Sequence, residues 1–242
     1  MIEGQVVDGL FLRSWARPIE LDRANQKRGC VLDLRSPITG GSTIYDVSGK
    51  GNHGTITGAT WVRLPSGLWV LDFDGNDYVT MASPVFLAAT WNSKFSVRLW
   101  LKVTDNGVRQ TFIGCNDEAS VFQLEMKAGG ALAAIFNGDN VAVAPQSILS
   151  NTWAFAVVTV NGTGVGTHTF YHNGVALGTP SESGSGFSVN GAVATELGRR
   201  AAASQSLTGQ MGLLDVVSRT LSASEIAQIY NQERHLFQGM TP

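Results

Sequence analysis

Cysteine, proline and excess positive charge are all scarce in this chain. Only two cysteines, Cys30 and Cys115, occur in 242 residues. They fall in separate strand-like segments, which leaves either one disulfide or two reduced, buried thiols. The start, MIEGQVVDGLFLRSWARPIEL, lacks the basic lead, apolar stretch and small-residue cleavage site of a signal peptide. A chain without that export route is expected to keep its thiols reduced. Lys and Arg number 17 against 19 Asp and Glu, a net charge of −2. That balance argues against a general nucleic-acid binder, which would carry a basic patch. No run of about 18 apolar residues is found, so no membrane span is expected.

Catalytic signatures are lacking as well. No G-x-S-x-G elbow, H-E-x-x-H pair or Walker A loop occurs. His168 and His172 lie four apart, but on a strand that spacing separates them by about 13 Å, too far to share one zinc. No E-x-D-x-x-E run, which would set a glycosidase acid and nucleophile about 5–5.5 Å apart on one strand, occurs. Asp33, Asp72, Glu125 and Asp215 each stand alone in their strand-like segments. The chain is therefore read as non-enzymatic.

What is present is β patterning. Hydrophobic residues make up 43% and charged residues 15%, enough for a sizeable core, and 28 glycines imply many turns. A single β domain of about 200–250 residues is within the usual range. Lys94–Val103 alternates cleanly: Phe95, Val97, Leu99, Leu101 and Val103 on one face, Ser96, Arg98, Trp100 and Lys102 on the other. Gly67–Met81 is apolar on both faces, as inside a sandwich, and Asp74–Asp77 reads as a hairpin turn. An EF-hand beginning at Asp72 fails, because Asp77 stands where Gly is needed and Ser83 where Glu is needed. Asn173-Gly174 predicts a type I′ hairpin. Strands recur from about residue 29 to 218, and no helical pattern of any length precedes Ser222.

The closing stretch, Gly209–Tyr230, joins a strand to a short helix. Ser222 and Glu225 form a capping box, Leu221 and Ile226 have staple spacing, and Ile226, Ile229 and Tyr230 share one apolar helical face. This stretch resembles the end of concanavalin A-like (laminin G-like) jelly rolls at Gly209, Asp215, Val217, Arg219, Leu221, Ser222, Glu225, Ile226 and Tyr230. Val216 departs from that pattern, which has an acidic residue there. DVSGKGNHG, Asp46–Gly54, and GLWVLDFDGNDYV, Gly67–Val79, resemble two further family segments. The fold the resemblance implies is all-β: a two-sheet antiparallel jelly-roll sandwich over residues 29–233, with one short C-terminal helix. Residues 1–28 are read as an N-terminal arm and 234–242 as a tail.

The resemblance also carries functional expectations. Family members often hold a structural Ca²⁺ between the Gly-rich loop and the last strand. The matching positions are Asp46, Asn52, the Gly54 carbonyl and Asp215; the alternative is that Asp46 caps a turn and Asp215 takes backbone N–H groups. Trp91, Trp100 and Tyr171 are weak carbohydrate-platform candidates, set against an ordinary role as core or sheet cover. The arm carries Phe11, Trp15 and Arg17, residues that suit docking onto a partner better than a free tail, although a poorly ordered terminus is the alternative. Stand-alone domains of this kind with such an arm resemble tailed-phage structural proteins. The first expectation is thus a virion decoration or tail-associated protein, docked by its arm to a capsid or tail protein and homo-oligomeric as a trimer or higher. The alternative is an extracellular carbohydrate-binding module contacting cell-surface glycan.

Overall fold

A computed structural model of the chain describes residues 28–35, 41–86, 93–115, 122–136, 140–148, 151–184, 194–200 and 205–238. The strands in chain order are β1 (Cys30–Leu34), β2 (Thr43–Ile44), β3 (Gly54–Thr57), β4 (Thr60–Arg63), β5 (Trp69–Asp74) and β6 (Tyr78–Met81). Then come β7 (Lys94–Val103), β8 (Gln110–Cys115), β9 (Gln123–Met126), β10 (Ala131–Phe136), β11 (Asn140–Ser147) and β12 (Ala154–Asn161). β13 (His168–His172), β14 (Val175–Ala176), β15 (Ser181–Ser183), β16 (Thr195–Leu197) and β17 (Thr208–Val217) complete them, followed by the helix α1 (Ala223–Phe237).

Every pairing among these strands is antiparallel, and they form two sheets. One runs β14-β13-β12-β7-β17-β5-β4, with β1 also on β17; the other runs β15-β11-β10-β9-β8-β16-β6-β3-β2. The inner row of β7 (Phe95, Val97, Leu99, Leu101, Val103) lies in the core between the sheets, as its alternation predicts. Phe86, Phe95, Phe122 and Phe136 cluster there, with the Phe95 and Phe122 rings edge to face at 4.9 Å.

The type I′ hairpin forms as expected, with φ of 50° at Asn173 and 83° at Gly174. The Asp74–Asp77 turn does not make a hairpin. β5 already pairs with β4 on one edge and β17 on the other, so the chain crosses to the second sheet as β6. Asp77 Oδ2 accepts the Asp74 N–H at 2.9 Å and holds this corner closed.

The capping box is complete: Ser222 Oγ accepts the Glu225 N–H and Glu225 Oε2 accepts the Ser222 N–H. The helix does not stop where the tail was expected to begin. It runs through Glu233 to Phe237, because Phe237 finds an apolar seat on the sheet. α1 roofs the outer face of the first sheet, making a second core of Val70, Trp100, Phe155, Val157, Leu213, Ile226, Ile229 and Phe237.

Candidate functional site

Three neighbouring strands bring charges into one row beneath α1. Asp33 of β1 is opposite Asp215 of β17, which is opposite Arg98 of β7. A one-residue bulge creates this row. β17 advances from Gly212 to Asp215 while β7 advances only from Trp100 to Arg98, and Leu213 takes φ 45°. The extra residue turns Asp215 outward, away from the core that strict alternation from Met211 would give it.

Arg98 Nη2 is in direct contact with Asp215, and Arg35 Nε with Asp33. Arg35 Nη2 also lies 3.5 Å from Asp215 Oδ1. Glu233 closes the cluster from the helix, its Oε1 3.0 Å from Arg98 Nη1 and its Oε2 accepting the Trp100 indole N–H at 2.9 Å. Three carboxyl groups thus face two guanidinium groups. Burial pushes the Asp215 carboxyl up, to about 8, against the pull of Arg98 and Arg35 and with the Asp33 charge adding to the push. One proton on Asp215 brings the cluster to neutrality.

The residues expected to hold Ca²⁺ are divided between two roles. Asp46 and Asn52 do meet, but Asp46 accepts from the backbone N–H groups of Asp33, Ser48 and Asn52 and from Ser48 Oγ, at 2.8–3.0 Å. Asn52 spends its amide N–H on Val31 O. Gly54 is a β3 residue whose missing side chain has a packing reason: a Cβ there would come within 2.5 Å of both Met81 and Val79. Asp215 is taken by Arg98. A cation shared by this set would have to displace those donors, so the residues do not fit Ca²⁺. The ligand atoms of Cys30, Asp33 and Asp215 do lie within 4.8 Å of one another. There too, Arg98 and Arg35 already supply the positive charge, and a dication would meet them at close range.

Trp100 and Tyr171 are not sugar platforms. Trp100 is 0% exposed, stacked on Phe237 at 4.3 Å and 10°, and Tyr171 is 7% exposed. Their faces point outward as the alternation requires, but α1 covers the first and the second packs in the same apolar layer. Trp91, Phe11, Trp15 and Arg17 lie outside the described residues. Trp61, Trp69 and Trp153 are half-exposed instead. Glu233 and Phe237, which sequence reasoning assigned near or beyond the domain end, prove to be the residues that seat the helix.

Both cysteines are free thiols, Cys115 buried and Cys30 half-buried. Cys30 lines an open cleft of about 520 Å³ where β1 begins and β17 ends. Ser48, Lys50 and Asn52 of the Gly-rich loop form one wall, and Ser83, Pro84 and Ser218 form others. Several of these groups are fixed: Ser48 Oγ donates to Asp46 Oδ2 at 2.8 Å, with Val31 O 3.2 Å away, and Ser218 Oγ donates to Gly29 O at 3.1 Å.

Two antiparallel sheets packed face to face, with one C-terminal helix across the outer face of the first, define a concanavalin A-like jelly roll. The chain belongs to the concanavalin A-like lectin/glucanase superfamily, whose model matches residues 73–227. A search of curated proteins finds no match. Among solved structures it is similar to botulinum neurotoxin type C at 16% identity and TM-score 0.67, covering 87% of this chain and 52% of that one. It is similar to the binding domain of botulinum neurotoxin serotype D at 16% identity and TM-score 0.65, covering 86% and 52%. The binding domain of Paraclostridial Mosquitocidal Protein 1 matches at 16% identity and TM-score 0.61, covering 85% and 52%. At such identities these likenesses speak for the fold alone, and the chain spans about half the length of each.

Proposed function

We propose that this domain is a non-catalytic recognition module that binds carbohydrate displayed on a cell surface. The observation that carries it is the fate of the strand carboxylates in a superfamily of lectins and glucanases. A glycosidase needs two carboxyl groups facing the substrate, about 5–9.5 Å apart. Of the four strand carboxylates that the sequence singles out, Asp33, Asp215 and Glu125 are buried and each is engaged by arginine, which leaves only the half-buried Asp72 outside an arginine pair. Of the superfamily's two named activities, binding is the one this arrangement supports. The similar structures lend weight in the same direction. Passage of botulinum neurotoxin type C into cells depends on two ganglioside molecules, and the binding domain of neurotoxin DC is described in complex with SialylT.

The virion reading depends on the arm, of which residues 1–27 lie outside the described residues. No observation on the described fold favours it. The test is a glycan array probed with the purified domain, followed by binding to cells before and after enzymatic removal of surface glycans. Saturable binding to a defined glycan class, lost on glycan removal, is expected. Cell binding that survives glycan removal, with a blank array, would overturn the reading.

A further inference from the structure

The geometry points to the end cleft, between the Gly-rich loop and the junction of β1 with β17, as a binding site for an acidic saccharide, a hydroxyl-rich ring bearing a carboxylate. This inference rests on the carbohydrate reading and names the place and ligand class for it.

Size comes first. The cleft, at about 520 Å³, falls within the roughly 300–1,000 Å³ typical of small-molecule sites. Its lining mixes short polar side chains (Ser48, Asn52, Ser83 and Ser218, with Lys50) and a somewhat larger apolar surface that includes Val31, Pro84 and Val85. Hydroxyls and amides beside small apolar surfaces match the alternating C–H and O–H faces of a sugar ring.

Hydrogen bonding comes second. The scaffold of the cleft is internally tied. Asn52 Nδ2 donates to Val31 O at 2.9 Å, the Lys50 N–H donates to Ser48 Oγ at 3.1 Å, and the Ser218 N–H donates to Gly29 O at 2.8 Å. Against that fixed frame, the Ser83 hydroxyl and the Asn52 Oδ1 carry no hydrogen bond among the described residues. Asn52 is only 7% exposed, so its amide is held in one orientation before any ligand arrives. A preorganised acceptor and a free hydroxyl are what a ring hydroxyl pair requires.

Charge comes third and selects the acid. Lys50 is exposed and forms no ion pair among the described residues. The aspartates behind the wall do not cancel it, because Asp46 is filled by four N–H and O–H donors and Asp33 and Asp215 are in contact with arginines. Among the described residues that line the cleft, the uncompensated charge is therefore the Lys50 ammonium, which fits a carboxylate.

The experiment is titration calorimetry of the full chain with sialyllactose and with lactose as its neutral counterpart. The wild type is compared with Lys50→Glu and Ser83→Trp, and melting curves confirm that both variants fold. Sialyllactose is expected to bind and lactose to bind far more weakly. Lys50→Glu should weaken sialyllactose by about tenfold or more, as expected for loss of a charge-assisted hydrogen bond. Ser83→Trp should block the cleft. Sugar binding that both variants leave intact would overturn the cleft assignment while keeping the carbohydrate reading. Equal affinity for lactose and sialyllactose would overturn the acidic ligand class. Failure of these sugars together with a blank glycan array would remove the carbohydrate reading and this inference with it.

Discussion

Glu233 fastens the helix to the sheet at two atoms: its Oε2 accepts the Trp100 indole N–H at 2.9 Å while its Oε1 lies 3.0 Å from Arg98 Nη1. Glu233→Ala removes both and leaves Arg98 buried with one partner fewer. A cost of about 3 kcal/mol is expected from breaking such a buried pair. Phe237→Ala, which strips the ring stacked on Trp100, should cost about 3 kcal/mol. Urea denaturation followed by Trp fluorescence reads both. A loss under 1 kcal/mol in each would mean that the helix is not held by these contacts.

The contribution of Asp215 to stability should fall as pH rises from about 4 to about 8. The folded-state value for Asp215, about 8, lies above the ordinary carboxylate range. Between the two values the native chain holds a proton that the unfolded chain has released. The contribution is therefore complete below the unfolded value, shrinks through this window and is flat above it. Asp215→Asn keeps the shape and fixes the group neutral, so the difference in melting temperature between wild type and variant should change with pH across that window. A pH-independent difference would contradict the assignment.

Cys30 should be inert although it lines the cleft. Burial first, then the Asp215, Asp33 and Asp46 carboxylates, push its thiol up to about 12 from 9.0. The thiolate is the reactive form, so alkylation near pH 8 should run about a thousandfold slower than for a free thiol. Iodoacetamide labelling read by mass spectrometry, with and without denaturant, checks this. Rapid labelling of Cys30 in the native chain would contradict it.

Chelation should leave the melting temperature unchanged. Asp46 is saturated by protein donors, and Asp215 has Arg98 as its counter-charge. Thermal melts with excess EDTA and with excess Ca²⁺ should overlay. A rise of several degrees with Ca²⁺ would restore the cation reading.

Much of the fold was legible because strand period is local. The inner row of β7, the Asn173-Gly174 turn and the Ser222 capping box all follow from residues close in sequence. The site was less legible, for reasons that are not local. Alternation tells which way Trp100 points, but not that a helix more than a hundred residues later lies over it. Glu233 breaks the apolar row that runs through Ile226, Ile229 and Tyr230 to Phe237, so the helix read as ending early. The bulge at Leu213 inverts the facing of Asp215, and no pattern in β17 announces it. Asp33 and Asp215 each look solitary in their own segments, and only strand register makes them neighbours. The hairpin expected at Asp74–Asp77 failed for a similar reason, since the edges of β5 were claimed by β4 and β17.

β17 follows every other described strand in sequence, yet it lies in the middle of its sheet, with β7 along one edge and β5 and β1 sharing the other. The strands that precede β17 therefore leave a slot between β7 and β5 that only this later segment fills. The same order suits a split protein. A fragment ending before β17 and a second carrying β17 with α1 would each be incomplete alone and would reassemble by strand insertion, with the capped helix closing over Trp100 as the latch.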